Sequence, residues 1–156
     1  MSFVFNETHE KQFQGLLPRY PHLKALVLPC LWMVQYQEGY ISAEAMAYIA
    51  QKLDVPQAHL YGVATFYTMF NLEAIPQYHI QVCKTLSCEL CGQADIIKSI
   101  EEETGLRVNE SNALFKLTEV ECLGACGGAP MLAVNEDYHE NLTPEKTRSL
   151  IQRLSQ

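Results

Sequence analysis

The sequence predicts an α+β chain, with a helical bundle over residues 1–73 followed by an α/β domain over 74–156. Two observations separate the halves. Before residue 71 apolar side chains recur at three- and four-residue steps, as on one face of a helix; after residue 77 they alternate every second position, as on a strand. The change of character comes at Asn71–Pro76, and the boundary is expected near Asn71–Tyr78. A third observation locates the chemistry. Five of the six cysteines crowd into Cys83–Cys91 and Cys122–Cys126, each stretch following an alternating run.

The elements follow in order. Residues 7–18 read as a short helix ended by Pro18. His22–Glu38 carries Leu23, Leu26, Val27, Leu31 and Val34 at helical spacing, with a kink expected at Pro29 and a stop at Gly39. Cys30 lies inside it and reads as buried packing. Ser42 suits the N-cap of a helix over Ala43–Leu53. Pro56 opens a fourth helix to about Phe70, whose stripe Leu60, Val63, Phe66, Tyr67 and Phe70 reads as core. Tyr78–Cys83 then alternates as a strand, and Ala94–Thr104 is a helix with Ile96, Ile97 and Ile100 inward and Gly105 as its stop. Phe115–Cys122 and Met131–Asn135 read as strands, with a further short one near Tyr138–Asn141. Thr143 caps a last helix with Pro144 at its first position, running to about Leu154.

Composition narrows the function classes. A net charge of −7, a pI near 5.2 and no Lys/Arg cluster argue against a nucleic-acid or anionic-membrane surface. The start lacks a basic region followed by a long apolar one, so no secretory signal is read. The longest apolar run, Ala25–Val34, is about half of the roughly 20 residues a membrane span needs and contains Pro29. Six cysteines in such a chain fit a reducing compartment and metal or redox work rather than disulfides. A soluble cytoplasmic protein with no membrane insertion is expected. The five histidines show no paired spacing, and Glu101–Glu103 reads as a solvated helix end.

Four arrangements of the cysteines compete. A structural zinc site would take Cys83, Cys88 or Cys91, Cys122 and Cys126. A dithiol at Cys88-Glu-Leu-Cys91 would leave Cys122-Leu-Gly-Ala-Cys126 without a role. The spacing Cys83-x₄-Cys88-x₂-Cys91 with a remote cysteine matches plant-type [2Fe–2S] ligation. Two pairs, Cys83/Cys88 and Cys122/Cys126, would give each iron of such a cluster two thiolates. The surroundings speak for the last arrangement. Cys126 stands in Gly124-Ala-Cys126-Gly-Gly-Ala-Pro130, a small-residue turn whose backbone N–H groups can approach sulfur, whereas Cys91 directly precedes Gly92 and a helix.

Several motifs together resemble the thioredoxin-like [2Fe–2S] ferredoxin family, within it the small iron–sulfur subunits of NADH:quinone oxidoreductases. They are Gly62-Val-Ala-Thr-Phe-Tyr-Thr-Met-Phe70, Gln35-x₄-Tyr40-Ile-Ser42, Cys83-x₄-Cys88 and Val120-Glu-Cys-Leu-Gly-Ala-Cys-Gly-Gly-Ala-Pro-Met131. The resemblance implies a thioredoxin-like cluster domain after the helices, with Cys83, Cys88, Cys122 and Cys126 as the ligands of one [2Fe–2S] cluster. It leaves Cys91 without a role. It also implies one-electron transfer with a flavin-bearing, NADH-oxidising partner subunit, in a complex peripheral to the inner membrane. No Gly-x-Gly-x-x-Gly occurs in this chain, so FMN and NADH are expected on that partner. Equivalent subunits of NAD-linked hydrogenases or formate dehydrogenases, and a stand-alone ferredoxin of the same type, are the alternatives.

Overall fold

The computed structural model describes residues 3–156. Its chain divides into two compact units, the first ending at Ile75 and the second spanning Pro76–Gln156. The first holds helices α1 (Glu7–Leu16), α2 (Val27–Glu38), α3 (Ala43–Leu53) and α4 (Gln57–Phe66). Caps written in the sequence set their starts. Asn6 and Ser42 accept from the backbone N–H groups of His9 and Ala45, satisfying donors that the first helical turn leaves orphaned. Leu26, Leu31, Val34, Ile49, Leu53 and Leu60 form the heart of the core. At its edge Lys52 pairs with Glu10 at 2.7 Å and lies over the Phe13 ring, 4.5 Å from its centroid.

Two expectations for this unit are corrected. Pro29 kinks nothing: Leu23–Leu26 forms a separate 3₁₀ turn, so α2 starts at Val27 and Pro29 falls in its first turn, where a missing N–H costs no hydrogen bond. The fourth helix stops at Phe66, not Phe70, because Tyr67 turns extended (φ −91°, ψ 104°) and Phe70 N–H bonds Tyr67 O in a tight turn. The predicted stripe splits accordingly. Leu60 and Phe70 are buried, while Phe66 is 76% exposed.

The second unit is a four-stranded mixed sheet in the order β2-β1-β3-β4, formed by β1 (Tyr78–Cys83), β2 (Phe115–Val120), β3 (Leu132–Val134) and β4 (Asp137–His139). β1 and β2 run parallel with Cys83 opposite Val120, while β3 pairs antiparallel with both β1 and β4. The parallel pair needs a crossover, supplied by α5 (Leu86–Leu90) and α6 (Gln93–Thr104); α7 (Pro144–Leu154) closes the unit. Ile96 and Ile100 from α6 and Leu150 and Ile151 from α7 pack with Ile80, Val82, Leu117 and Leu132 of the sheet. Thr143 and Pro144 start α7 as their residue types dictate. Glu101–Glu103 is not merely solvated: Glu101 pairs with Arg107, Glu102 with Arg148, and Gln152 donates to Glu103, tying α6 to α7.

Candidate metal centre

The sheet itself brings the two cysteine segments together. Because β1 and β2 are parallel and in register, the chain leaves both at the same end of the sheet, one just after Cys83 and the other just before Cys122. β3 runs the other way, so Met131, just ahead of it, also lies at that end. Backbone bonds lock the junction: Lys84 N–H to Val120 O at 3.0 Å and Cys83 N–H to Met131 O at 3.4 Å.

The first segment is wound into α5, whose turn buries Cys88 while leaving Leu86 and Leu90 outside. Cys83 and Cys88 are both buried, packed with Met131 and flanked by Leu123, Ala125 and Ala129. Burial works to raise the Cys83 thiol, but it is outweighed. The Thr85 hydroxyl at 3.3 Å, the backbone N–H groups of Thr85 and Leu123, and the Cys88 thiol all stabilise its thiolate, and the net shift is downward. Cys88 moves upward. Burial is the main cause, and the neighbouring charges of Cys83 and Cys126 add to it against a backbone hydrogen bond from Met131. The pair therefore titrates unevenly, with Cys83 the readier thiolate.

The second segment is irregular. Cys122 and Cys126 are exposed, and Cys126 opens a single 3₁₀ turn over Cys126–Gly128. Gly124 donates its N–H to Cys122 Sγ, 3.3 Å away, and itself adopts φ +82°, a left-handed conformation that side chains disfavour. Gly128 N–H bonds Ala125 O instead and serves the turn. Gly128 must be glycine for another reason. A β-carbon there would lie 2.7 Å from Glu140 Cβ and collide with the Glu140 carboxylate. The Ala129–Pro130 peptide is cis.

The remaining cysteines are Cys30 and Cys91. Cys30 is sealed in the helical core, where burial pushes its thiol up to about 12. Cys91 is the C-cap residue of α5 and is exposed. Lys84, beside the first cysteine, is held by Glu121 at 3.1 Å. Among the described residues no three Cys, His, Asp or Glu side chains gather as they would around one mononuclear ion. A two-iron cluster makes a different demand, two thiolates per iron from soft donors. Cys83, Cys88, Cys122 and Cys126 lie on two segments that follow the same end of the parallel strands, with backbone N–H groups aimed at Cys83 and Cys122, and could supply such donors.

Residues 13–155 match the family model described as thioredoxin-like [2Fe-2S] ferredoxin. The chain belongs to that family. Among curated relatives, the E-type subunit of NADH-quinone oxidoreductase from Rickettsia bellii (strain RML369-C) is 40% identical, with 98% of this chain and 95% of the relative aligned. A second-numbered E-type subunit of the same enzyme from Rhizobium meliloti (strain 1021) is 35% identical over 93% of this chain and 88% of its own. The crystal structure of an air-oxidised NAD+-reducing [NiFe]-hydrogenase superposes on 83% of this chain with a TM-score of 0.73 at 17% identity. This chain spans only 23% of that hydrogenase chain, and the likeness establishes the fold alone.

Sequence reasoning reached the cysteine segments and the Gly124 donor. It missed α5, Thr85, Tyr138 and the contributions of Leu123 and Met131. Thr85 carried a faint signal, a hydroxyl two residues beyond Cys83, within reach of a local side-chain contact. Tyr138 carried none, because its partner lies fifteen positions away.

Proposed function

We propose that this chain is the small electron-transfer subunit of an NADH:quinone oxidoreductase, with Cys83, Cys88, Cys122 and Cys126 holding one [2Fe–2S] cluster. The observation that carries this reading is that the two cysteine-bearing segments follow the same end of a parallel strand pair. When bound, the cluster supplies a site that takes up and releases one electron at a time.

The chain's own residues make such a site serviceable. Cys83 and Cys88, with Met131 and the apolar side chains of Leu123, Ala125 and Ala129, exclude water from one side. Low local polarity strengthens every hydrogen bond to sulfur there. The Thr85 hydroxyl and the N–H groups of Thr85, Leu123 and Gly124 offset negative charge on the ligands and favour the reduced state. Cys122 and Cys126 leave the other side open to solvent, where electrons can enter or leave. On α5, which carries Cys88, Leu86 and Leu90 are 70% and 78% exposed, an apolar rim for a protein partner to cover.

That partner is the flavin-bearing, NADH-binding subunit of the same complex. The E-type relatives align over nearly their full length, which supports an equivalent place for this chain; the hydrogenase shares the fold at much lower identity. No helix among the described residues is long and apolar enough to cross a membrane, which is compatible with a peripheral position on the cytoplasmic face of the inner membrane. Co-expression with a candidate flavoprotein subunit tests the whole reading. A stable complex whose cluster absorption bleaches on adding NADH is expected. A chain that purifies alone, with a cluster that NADH and the flavoprotein leave oxidised, would contradict it.

A further inference from the structure

The exposed cysteine pair lacks the apolar packing that fixes Cys83 and Cys88, so its geometry depends on hydrogen bonds. One peptide unit stands out. The amide joining Leu123 to Gly124 donates its N–H to Cys122 Sγ at 3.3 Å, and its carbonyl oxygen accepts the Tyr138 hydroxyl at 3.0 Å. A single planar amide thus links a phenol to a cysteine sulfur. Amide resonance couples its two ends: a donor at the oxygen draws electron density toward it and makes the N–H a stronger donor.

We propose that Tyr138 is a positioning residue that sets the reduction potential of the centre through the Leu123–Gly124 peptide and its hydrogen bond to Cys122. The proposal rests on the cluster reading given above. Tyr138 is well placed for the task. It sits on β4 opposite Ala133 of β3, and β3 pairs with β1, the strand that ends in Cys83, so Tyr138 and Cys83 share one sheet. Its ring is 51% exposed, so the side chain is not needed to fill the core. The rest of the cysteine loop is secured separately: Asn141 N–H reaches Gly128 O at 2.6 Å and Leu142 N–H reaches Pro130 O at 3.1 Å. Losing the phenol hydroxyl therefore frees one peptide and leaves the loop attached. Leu123 N–H also faces Cys83, so that peptide's neighbour touches the buried pair as well. Hydrogen bonds to ligand sulfur stabilise the more negative reduced form and raise the potential.

The test is Tyr138→Phe in the full-length chain, with iron content, visible and EPR spectra, and a spectroelectrochemical titration. The expected result is a full complement of iron and unchanged spectral type, with the potential shifted negative. Adjacent hydrogen bonds strengthen one another by ~10–30%, which for a bond to a charged sulfur corresponds to a change of up to about fivefold in the reduction equilibrium, or up to about 40 mV for one electron. Incorporating 3-fluorotyrosine in place of Tyr138, a stronger donor of nearly the same shape, should shift the potential the opposite way. Equal potentials in all three proteins overturn the proposal, as does loss of iron from the phenylalanine variant, which would make Tyr138 a structural strut. Absence of a [2Fe–2S] spectrum from the unsubstituted chain would instead overturn the cluster reading itself.

Discussion

The two cysteine segments solve one problem in opposite ways. The first is a strand end and a helical turn that bury Cys83 and Cys88 against Met131; Thr85 is its foremost polar partner, with backbone groups of Leu123 and Met131 beside it. The second is an irregular, exposed loop whose cysteines are placed by backbone groups and by residues from β4 and the chain beyond it. Burial fixes the first pair and hydrogen bonds fix the second. The first should tolerate the loss of one polar contact, and the second should be sensitive to backbone changes far from any cysteine.

The largest expected effect falls on the base that both segments share. His79 on β1 is buried, with its ring 2.8 Å from Thr118 Oγ1 on β2. Burial, with a smaller push from Lys116, lowers its pKa from 6.5 to about 4. The folded state thus keeps His79 neutral where the unfolded chain would protonate it. The unfolded state then binds more protons, so stability falls as pH drops from 6.5 toward 4, by roughly 3 kcal/mol at most. Denaturant titrations across that range should show the slope, and His79→Gln should flatten it. An unchanged slope would break the claim that one buried histidine joins the two strands.

The next effect belongs to the second segment alone. Gly128→Ala forces Glu140 and its backbone away from the loop, costing about 2 kcal/mol as an overpacked site does. Thermal unfolding should reveal it, and iron retention should drop with it. A smaller effect sharpens the other side of the comparison. Thr85→Val removes one hydroxyl from Cys83, a loss of about 1 kcal/mol in thiolate stabilisation, with the thiol pKa rising. Alkylation of Cys83 in the iron-free chain, followed by peptide mass across pH, should shift to higher pH while stability stays nearly level.

Legibility in the sequence tracked how local each determinant was. Helices α3 and α7 were readable to the residue because Ser42, Thr143 and Pro144 act on their own first turns. Strand β1 was readable because apolar Tyr78, Ile80 and Val82 alternate with polar His79 and Gln81, although His79 is buried as well. Helix α5 was hidden: five residues are too few to display a period. The end of α4 was missed because Tyr67 leaves the helix amid residues that all favour an apolar stripe. At the candidate site the cysteine spacing and the Gly124 turn were local and visible. The Tyr138 contact and the Gly128–Glu140 fit join segments that only the β3–β4 hairpin brings together, so no spacing in the chain announces them.

The most direct test of the central claim is iron content and EPR of five single serine variants, at Cys83, Cys88, Cys91, Cys122 and Cys126. The two-pair arrangement predicts that serine at Cys83, Cys88, Cys122 or Cys126 abolishes or alters the [2Fe–2S] signal. It predicts that Cys91→Ser, at the exposed end of α5, leaves the signal as it was. A damaged cluster in Cys91→Ser beside an intact one in Cys126→Ser would contradict the account and restore plant-type ligation through Cys83, Cys88 and Cys91.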